Sequence, residues 1–228
     1  MALRARFVSI AECGEVRGTA VVVDVLRAYT TAAWAFHLGA ERILLSADTD
    51  EALALKAAIP GALALKDSRP YDGFDLTNSP VQLKGHDLSG RTIVQRTTAG
   101  TVGAVAAKAA EHLYCASFVC AAGTAAAIRE SGVREAYFVV TGEGGAADED
   151  RACAEYIAAL VDDPAVDAPP FLLRAEASNA AKMMALRVAE KTPGVDAGDV
   201  AACLDANRFD FVMRAVEEEG RLTLRAYN

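Results

Sequence analysis

Four stretches of the 228-residue chain hold residue types that can do chemistry together. In VVVDVLRAYTTAA, residues 21–33, an aliphatic run ends at Asp24 and is followed by Arg27, Thr30 and Thr31. An Asp at such a strand end can ligate a metal or act as a base, and an Arg presents a planar fork to phosphate or sulfonate oxygens. The same two residues can instead close a strand–helix junction as an ion pair. The stretch DSRPYDGFDLTNSPVQL, residues 67–83, carries Asp67, Arg69, Asp72, Asp75, Asn78 and Ser79 between the turn formers Pro70, Gly73 and Pro80. Polar segments of this length in a compact domain are commonly functional, although turn chemistry alone also accounts for their Pro, Gly and Asn. Phe74 and Leu76 predict that the segment packs back on the body of the protein.

The third stretch, RTIVQRTTAGTVG at residues 91–103, passes from a β-type run through Thr97, Thr98, Gly100 and Thr101 into an Ala-rich helix. Backbone N–H groups and hydroxyls at such a helix start suit a phosphate or carboxylate, and Gly lets the anion approach. Thr98 or Thr101 acting as an ordinary N-cap explains the hydroxyls equally well. In the fourth, TGEGGAADEDRACAEY at residues 141–156, Glu143, Asp148, Glu149 and Asp150 gather at a helix start. They can supply oxygen ligands to Mg²⁺ or simply complement the helix dipole.

The elements that must position these residues alternate. Strands are predicted at 20–24, 42–46, 62–66, 92–96, 113–118 and 136–141, with helices at 29–38, 50–58, 102–111, 124–131 and 149–161. This succession predicts an α/β fold, three-layer α/β/α, with a mixed, largely parallel sheet. Gly39 and Gly132 end two of the helices, and Thr49 caps a third. After the excursion at Pro164, Pro169 and Pro170 a long helical run is predicted at 171–190, then a short helix at 199–205. The alternation in 210–227 predicts a C-terminal hairpin turning at Glu219-Gly220. No repeat or interdomain linker interrupts residues 1–228, which read as one domain.

Composition excludes some classes. A net charge of −8 opposes a general nucleic-acid surface, which gains affinity by neutralising phosphates with clustered Lys and Arg. Five cysteines, an odd count without a CxxC pair, point to a reduced, cytoplasmic setting. The most apolar stretch is broken by Asp24 and Arg27, so neither a membrane span nor a secretory signal is predicted. Leu26 stands where a DxD nucleophile loop would need its second Asp, and Cys120 is followed by Arg129 at the wrong spacing for a Cys-x5-Arg phosphatase. His37, His86 and His112 form no ligand pair and read as surface or helix-end residues.

DVLRA at 24–28, GFDLTNSP at 73–80, TTAGT at 97–101, EDRACA at 149–154 and the final DVAACLDANRFDFVMRAVEEEGRLTLRA resemble, in this order, the motifs of the 2-phosphosulfolactate phosphatase family, also called the ComB family. The resemblance spans about residues 19–226. It implies a Mg²⁺-dependent phosphatase that converts 2-phospho-3-sulfolactate to 3-sulfolactate and phosphate, a step toward coenzyme M, and a homodimer. The motif positions it marks are Asp24, Arg27, Asp75, Asn78, Ser79, Thr97, Thr98, Gly100, Thr101, Glu149 and Asp150. Ala99 stands where the family pattern has Asn, and an Asn amide can donate to phosphate where Ala cannot.

The working assignment makes Asp24, Arg27 and Asp75 catalytic and gives Mg²⁺ to some of Asp24, Asp75, Glu149 and Asp150. Arg27 and Arg69 would hold phosphate, sulfonate or carboxylate, and Asn78, Ser79 and Thr97–Thr101 would complete the anion site. The partner is a small anionic phosphorylated substrate. A catalytically silent binder of such a metabolite is the other reading. Carboxylates beside the anion discriminate against it, because they weaken simple anion binding.

Overall fold

The Val-rich run before Asp24 lies inside a parallel array, because every residue from Thr19 to Val23 is buried. A strand covered on both faces needs continuous β-branched sequence rather than alternation. The structure, a computed structural model, describes residues 2–67 and 70–228. In chain order its elements are β1 (Arg4–Val8), β2 (Thr19–Val23), α1 (Ala28–His37), β3 (Arg42–Ser46), α2 (Thr49–Ala58), β4 (Leu63–Lys66), β5 (Leu76–Thr77) and α3 (Pro80–Leu83). Next come β6 (Thr92–Arg96), α4 (Gly100–Ala106), β7 (His112–Ala116), α5 (Ala121–Glu130), β8 (Glu135–Val140) and α6 (Asp148–Asp162). The chain ends with α7 (Pro169–Glu176), α8 (Asn179–Ala189), α9 (Asp199–Cys203), β9 (Val212–Glu218) and β10 (Arg221–Tyr227).

The strands form one ten-stranded sheet in the order β1-β8-β2-β7-β9-β10-β3-β6-β4-β5. Pairing is parallel within the block β1-β8-β2-β7 and within β3-β6-β4-β5. It is antiparallel where the C-terminal hairpin joins the two blocks. Val21 and Val23 pack outward with Phe118, Phe138 and Ile157 under α5 and α6. Ala20 and Val22 turn the other way, into a core shared with Tyr29 of α1, Ala104 of α4, Ile43 of β3 and Ile93 of β6. Because α4 touches both β2 and β3, the two blocks wrap around α1 and α4. Helix α2 covers the outer side of the second block through Ala52, Leu44 and Val94. This is the expected α/β/α layering with a mixed, largely parallel sheet.

The hairpin turns at Glu219-Gly220, as the alternation predicts, with φ of 52° and 72°. Two positive φ values are the type I′ geometry that matches strand twist. Its central place in the sheet is set by Met213, Ala215 and Leu224, which fill the shared core.

Some elements differ from expectation. The short strands β1 and β5 lie outside the predicted set. Arg4 and Arg6 of β1 are solvent-side residues paired with Glu135, so β1 has no apolar run to announce it. The helical run at 171–190 breaks at Ser178, whose hydroxyl accepts the Ala181 N–H at 3.1 Å and caps α8. Helix α2 is capped by Asp48, which accepts the Glu51 N–H at 2.8 Å, and Thr49 is its first helical residue. Helix α4 stops at Ala106, well short of Glu111. All five cysteines are free and buried. Among the described residues, no helix is long and apolar enough to cross a membrane.

Candidate active site

Strand β2 delivers Asp24 to the crest of the first block. Its carboxylate receives the Ala28 N–H at 2.9 Å, which closes the turn into α1. Gly100, the first residue of α4, arrives from the other block. A Cβ there would stand 2.8 Å from Asp24 Oδ2 and 2.7 Å from the Ala28 side chain, so only glycine fits. Two hydrogen bonds fix this approach. The Tyr29 hydroxyl donates to the Gly100 carbonyl at 2.6 Å, and Gln95 Nε2 of β6 donates to the Ala28 carbonyl at 2.9 Å.

The first turn of α6 brings two more carboxylates to the same crest. Asp150 accepts the Val25 N–H at 2.8 Å on Oδ1, and the Gly142 N–H at 3.0 Å and Thr141 hydroxyl at 3.2 Å on Oδ2. It therefore ties the end of β2 to the end of β8. Glu149 is also buried. A Cβ on Gly142 would press on Ala147 at 2.6 Å, close beside both carboxylates.

Burial dominates the electrostatics here. Loss of solvation, reinforced by the charges of Asp67 and Glu149, pushes the Asp24 carboxyl up to about 6, against the pull of nearby N–H groups. Burial, then the charges of Asp24 and Glu149, pushes Asp150 well above the usual carboxylate range. Glu149 is raised by burial, with smaller contributions from Glu143 and Asp148.

The other candidates have varied surroundings. Arg27 is buried at the start of α1; its Nη1 donates to the Gly194 carbonyl at 2.9 Å and pairs with fully buried Asp199. Ser79 caps α3 through the Gln82 N–H at 3.2 Å and donates to Asp199 Oδ1 at 2.6 Å, so its hydroxyl supports the scaffold. Asn78 is buried and its Oδ1 has no partner among the described residues. Thr97 and Thr101 satisfy each other: the Thr101 N–H donates to Thr97 Oγ1 at 3.0 Å and the Thr97 N–H to Thr101 Oγ1 at 2.8 Å. Neither of the expected Thr caps is used; Ala99 occupies the N-cap of α4 without a side-chain bond. Thr98 is exposed, and its N–H donates to Asp67 at 2.6 Å.

Asp75 does not join this set. One oxygen takes the Lys56 ammonium at 2.8 Å and the other the Ala64 N–H at 2.8 Å, which ties the loop to α2 and to the body of β4. Both oxygens are engaged in these bracing contacts, away from the carboxylates expected to join it in catalysis and metal binding. Arg69 lies outside the described residues. The reading from sequence leaves Asp67 and Asp199 without a role. Asp67 ends β4 as Asp24 ends β2, and that shared strand-end position is a usable signal. Asp199 opens the C-terminal stretch that carries the resemblance, but its role is set by partners 172 and 120 residues away and has no local signature.

The donor chemistry suits a hard cation. Asp24, Glu149 and Asp150 are buried oxygen donors that repel one another, and none of them pairs with a Lys or Arg among the described ion pairs. Among the described residues, no three His, Cys, Asp or Glu side chains close into a preformed metal cage. Magnesium keeps several of its waters and needs only one or two carboxylates, so the set fits that ion better than one demanding an all-protein cage.

Comparison with known sequences gives the chain its class, a phosphoric monoester hydrolase. A model described as 2-phosphosulpholactate phosphatase matches residues 8–218. A probable 2-phosphosulfolactate phosphatase of Bacillus subtilis is 33% identical over 210 residues, covering 89% of this chain and 88% of that protein. Probable 2-phosphosulfolactate phosphatases of Deinococcus radiodurans and Synechocystis are 37% and 31% identical; the matches cover 63% of both chains in the first case, and 65% of this chain and 64% of the relative in the second. The chain belongs to the 2-phosphosulpholactate phosphatase family.

Proposed function

We propose that the protein hydrolyses the phosphate monoester of 2-phospho-3-sulfolactate, or of a closely related phosphorylated hydroxy acid, in a Mg²⁺-dependent reaction. The observation that supports the metal dependence is the burial of Asp24, Glu149 and Asp150 together at one crest without an ion-paired Lys or Arg among the described residues. Uncatalysed phosphate-monoester hydrolysis is so slow that a site must lower its barrier by on the order of 20 kcal/mol or more.

Glu149, with the remaining lone pairs of Asp24 and Asp150, would hold the ion. Magnesium supplies charge neutralisation at the phosphoryl oxygens when bound. Asp150 keeps the ends of β2 and β8 in fixed register through its three hydrogen bonds. Asp24, raised toward neutrality, would take a proton from the attacking water as the bond between phosphorus and the C2 oxygen breaks, and that proton would pass to the C2 oxygen, which leaves as the hydroxyl of 3-sulfolactate. The Gly100 approach leaves that carboxylate no room to turn away. The protein is further proposed to act as a cytoplasmic homodimer, in line with its reduced cysteines.

The test is phosphate release from 2-phospho-3-sulfolactate and a panel of phosphorylated hydroxy acids, with Mg²⁺ and with chelator. Release that depends on Mg²⁺ supports the proposal. Binding without turnover on every compound would replace it with a silent metabolite binder.

A further inference from the structure

Helix α8, NAAKMMALRVA, is apolar apart from Asn179, Lys182 and Arg187, yet it buries only Ala181 and Met184. A helix that is apolar all round belongs in an interior, and its 11 residues are too few to hold a helix in water without packing. Successive residues turn by about 100°. Ala181, Met184 and half-buried Val188 therefore form one strip, which packs on the body of the protein. Lys182, Met183, Leu186, Ala189 and Glu190 form a second strip on the opposite side, at three and four residues to either side of Leu186. All five are exposed, Met183 by 48% and Leu186 by 54%. An open groove of about 330 Å³ runs beside Met183 and Leu186, with Pro193 and Val195 on its other wall. It has room for apolar side chains from a facing element.

The exposed strip is complementary to itself when reversed. In two copies of α8 placed antiparallel about a two-fold axis at Leu186, each residue before Leu186 meets the residue equally far after it in the other copy. Met183 then faces Ala189 of the partner subunit, large against small, and Lys182 faces Glu190 of the partner subunit. The symmetry makes each contact twice. Within one chain these two charges are badly placed. Lys182 lies in the first turn of α8, where the helix dipole disfavours a cation, and Glu190 is its C-cap, where the dipole disfavours an anion. An antiparallel partner reverses both, because Lys182 comes beside the negative end of the other helix and Glu190 beside its positive end. Neither makes an ion pair among the described residues.

We propose that the Leu186 strip of α8 is the contact between two copies of this chain, packed antiparallel about a two-fold axis with a Lys182–Glu190 pair at each end. The inference rests on the homodimer reading above and gives that dimer its surface. A second copy fits this strip because its sizes and charges match under a two-fold rotation, a relation that an unrelated partner does not require.

The experiment follows the full chain by sedimentation velocity over a range of protein concentrations. The wild type is expected to dimerise. Leu186→Asp sets two carboxylates on the axis and should leave a monomer, with the circular dichroism spectrum unchanged because residue 186 is solvent-exposed within one chain. Lys182→Glu and Glu190→Lys should each weaken the dimer about tenfold or more by setting like charges opposite each other, and the variant carrying both should recover wild-type association. Each single reversal improves the charge placement within α8 itself, so weaker association is not the result of a weaker helix. A wild-type dimer that Leu186→Asp leaves intact overturns this contact while the homodimer reading stands, and a double reversal that does not recover overturns the antiparallel pairing. A wild type that stays monomeric at every concentration overturns both and leaves the groove to another occupant. Phosphate release is decided separately from all of these outcomes. If Leu186→Asp does not fold, the charge reversals carry the test.

Discussion

Asp24 and Gly100 follow strands third and eighth in the ten-stranded sheet, yet a Cβ on Gly100 would lie 2.8 Å from Asp24 Oδ2. The two strand blocks wrap around α1 and α4 far enough to bring the end of one against the start of a helix from the other. That contact sets the position of the central carboxylate.

Gly100→Ala should therefore displace Asp24. The expected result is a loss of about 100-fold or more in kcat/KM, with overpacking costing about 1–3 kcal/mol of stability. Gly18→Ala is the control, since nothing lies within 4 Å of a Cβ there. Steady-state kinetics and chemical denaturation read both, and near-normal activity of Gly100→Ala would show that Asp24 has freedom the structure denies it.

The raised carboxyls set a pH dependence with a definite sign. Asp24 moves from 3.8 to about 6 on folding, and Glu149 and Asp150 move in the same direction. Between those limits the native state binds more protons than the unfolded chain, so this cluster's contribution to stability falls as pH rises through the window. Above about 6 the share of that cost due to Asp24 is fully in place. In chelator, Asp24→Asn should gain stability relative to wild type as pH rises from about 4 to about 7, by about 1–3 kcal/mol. A difference that stays flat across that range refutes the buried titration.

Magnesium should reverse this penalty. A cation beside the carboxylates favours their ionised forms and lowers their pKa values. The thermal shift produced by Mg²⁺ is expected to be larger near pH 8 than near pH 5. The acid limb of kcat/KM should move to lower pH as Mg²⁺ rises. Asp24→Asn should lose about 1,000-fold or more in kcat while keeping its fold, and a near-normal rate would remove Asp24 from the chemistry.

The Arg27–Asp199 pair should be costly to break from one side. Asp199→Leu alone leaves a buried guanidinium and is expected to cost about 3–5 kcal/mol. The double variant Arg27→Met, Asp199→Leu should recover most of that stability without recovering activity. Urea denaturation and phosphate release together separate the two effects, and full activity in the double variant would deny Arg27 any role.

Asp75→Asn should behave as a scaffold change. The Asp75 oxygens are held by Lys56 and the Ala64 N–H, and the Lys56 pair is partly exposed. Activity within about twofold of wild type and a stability loss of about 1 kcal/mol or less are expected. A collapse of kcat would return Asp75 to the active site.

By itself the sequence determined the alternation of strands and helices, the hairpin with its Glu219-Gly220 turn, and the carboxylates at the ends of β2 and at the start of α6. These are local properties, set by apolar periodicity, turn chemistry and strand-end position. The tertiary structure alone decided that the hairpin lies between two parallel blocks, that Gly100 closes on Asp24, and that Asp199 holds Arg27. It also decided which motif residues serve as scaffold: Ser79, Thr97 and Thr101 face inward while Asp75 lies on the exposed loop, and all four spend polar atoms on the backbone or on neighbouring side chains. Whether a hydroxyl or carboxylate is free to meet a ligand depends on what packs against it from distant parts of the chain, and that information is carried by long-range contacts rather than by spacing.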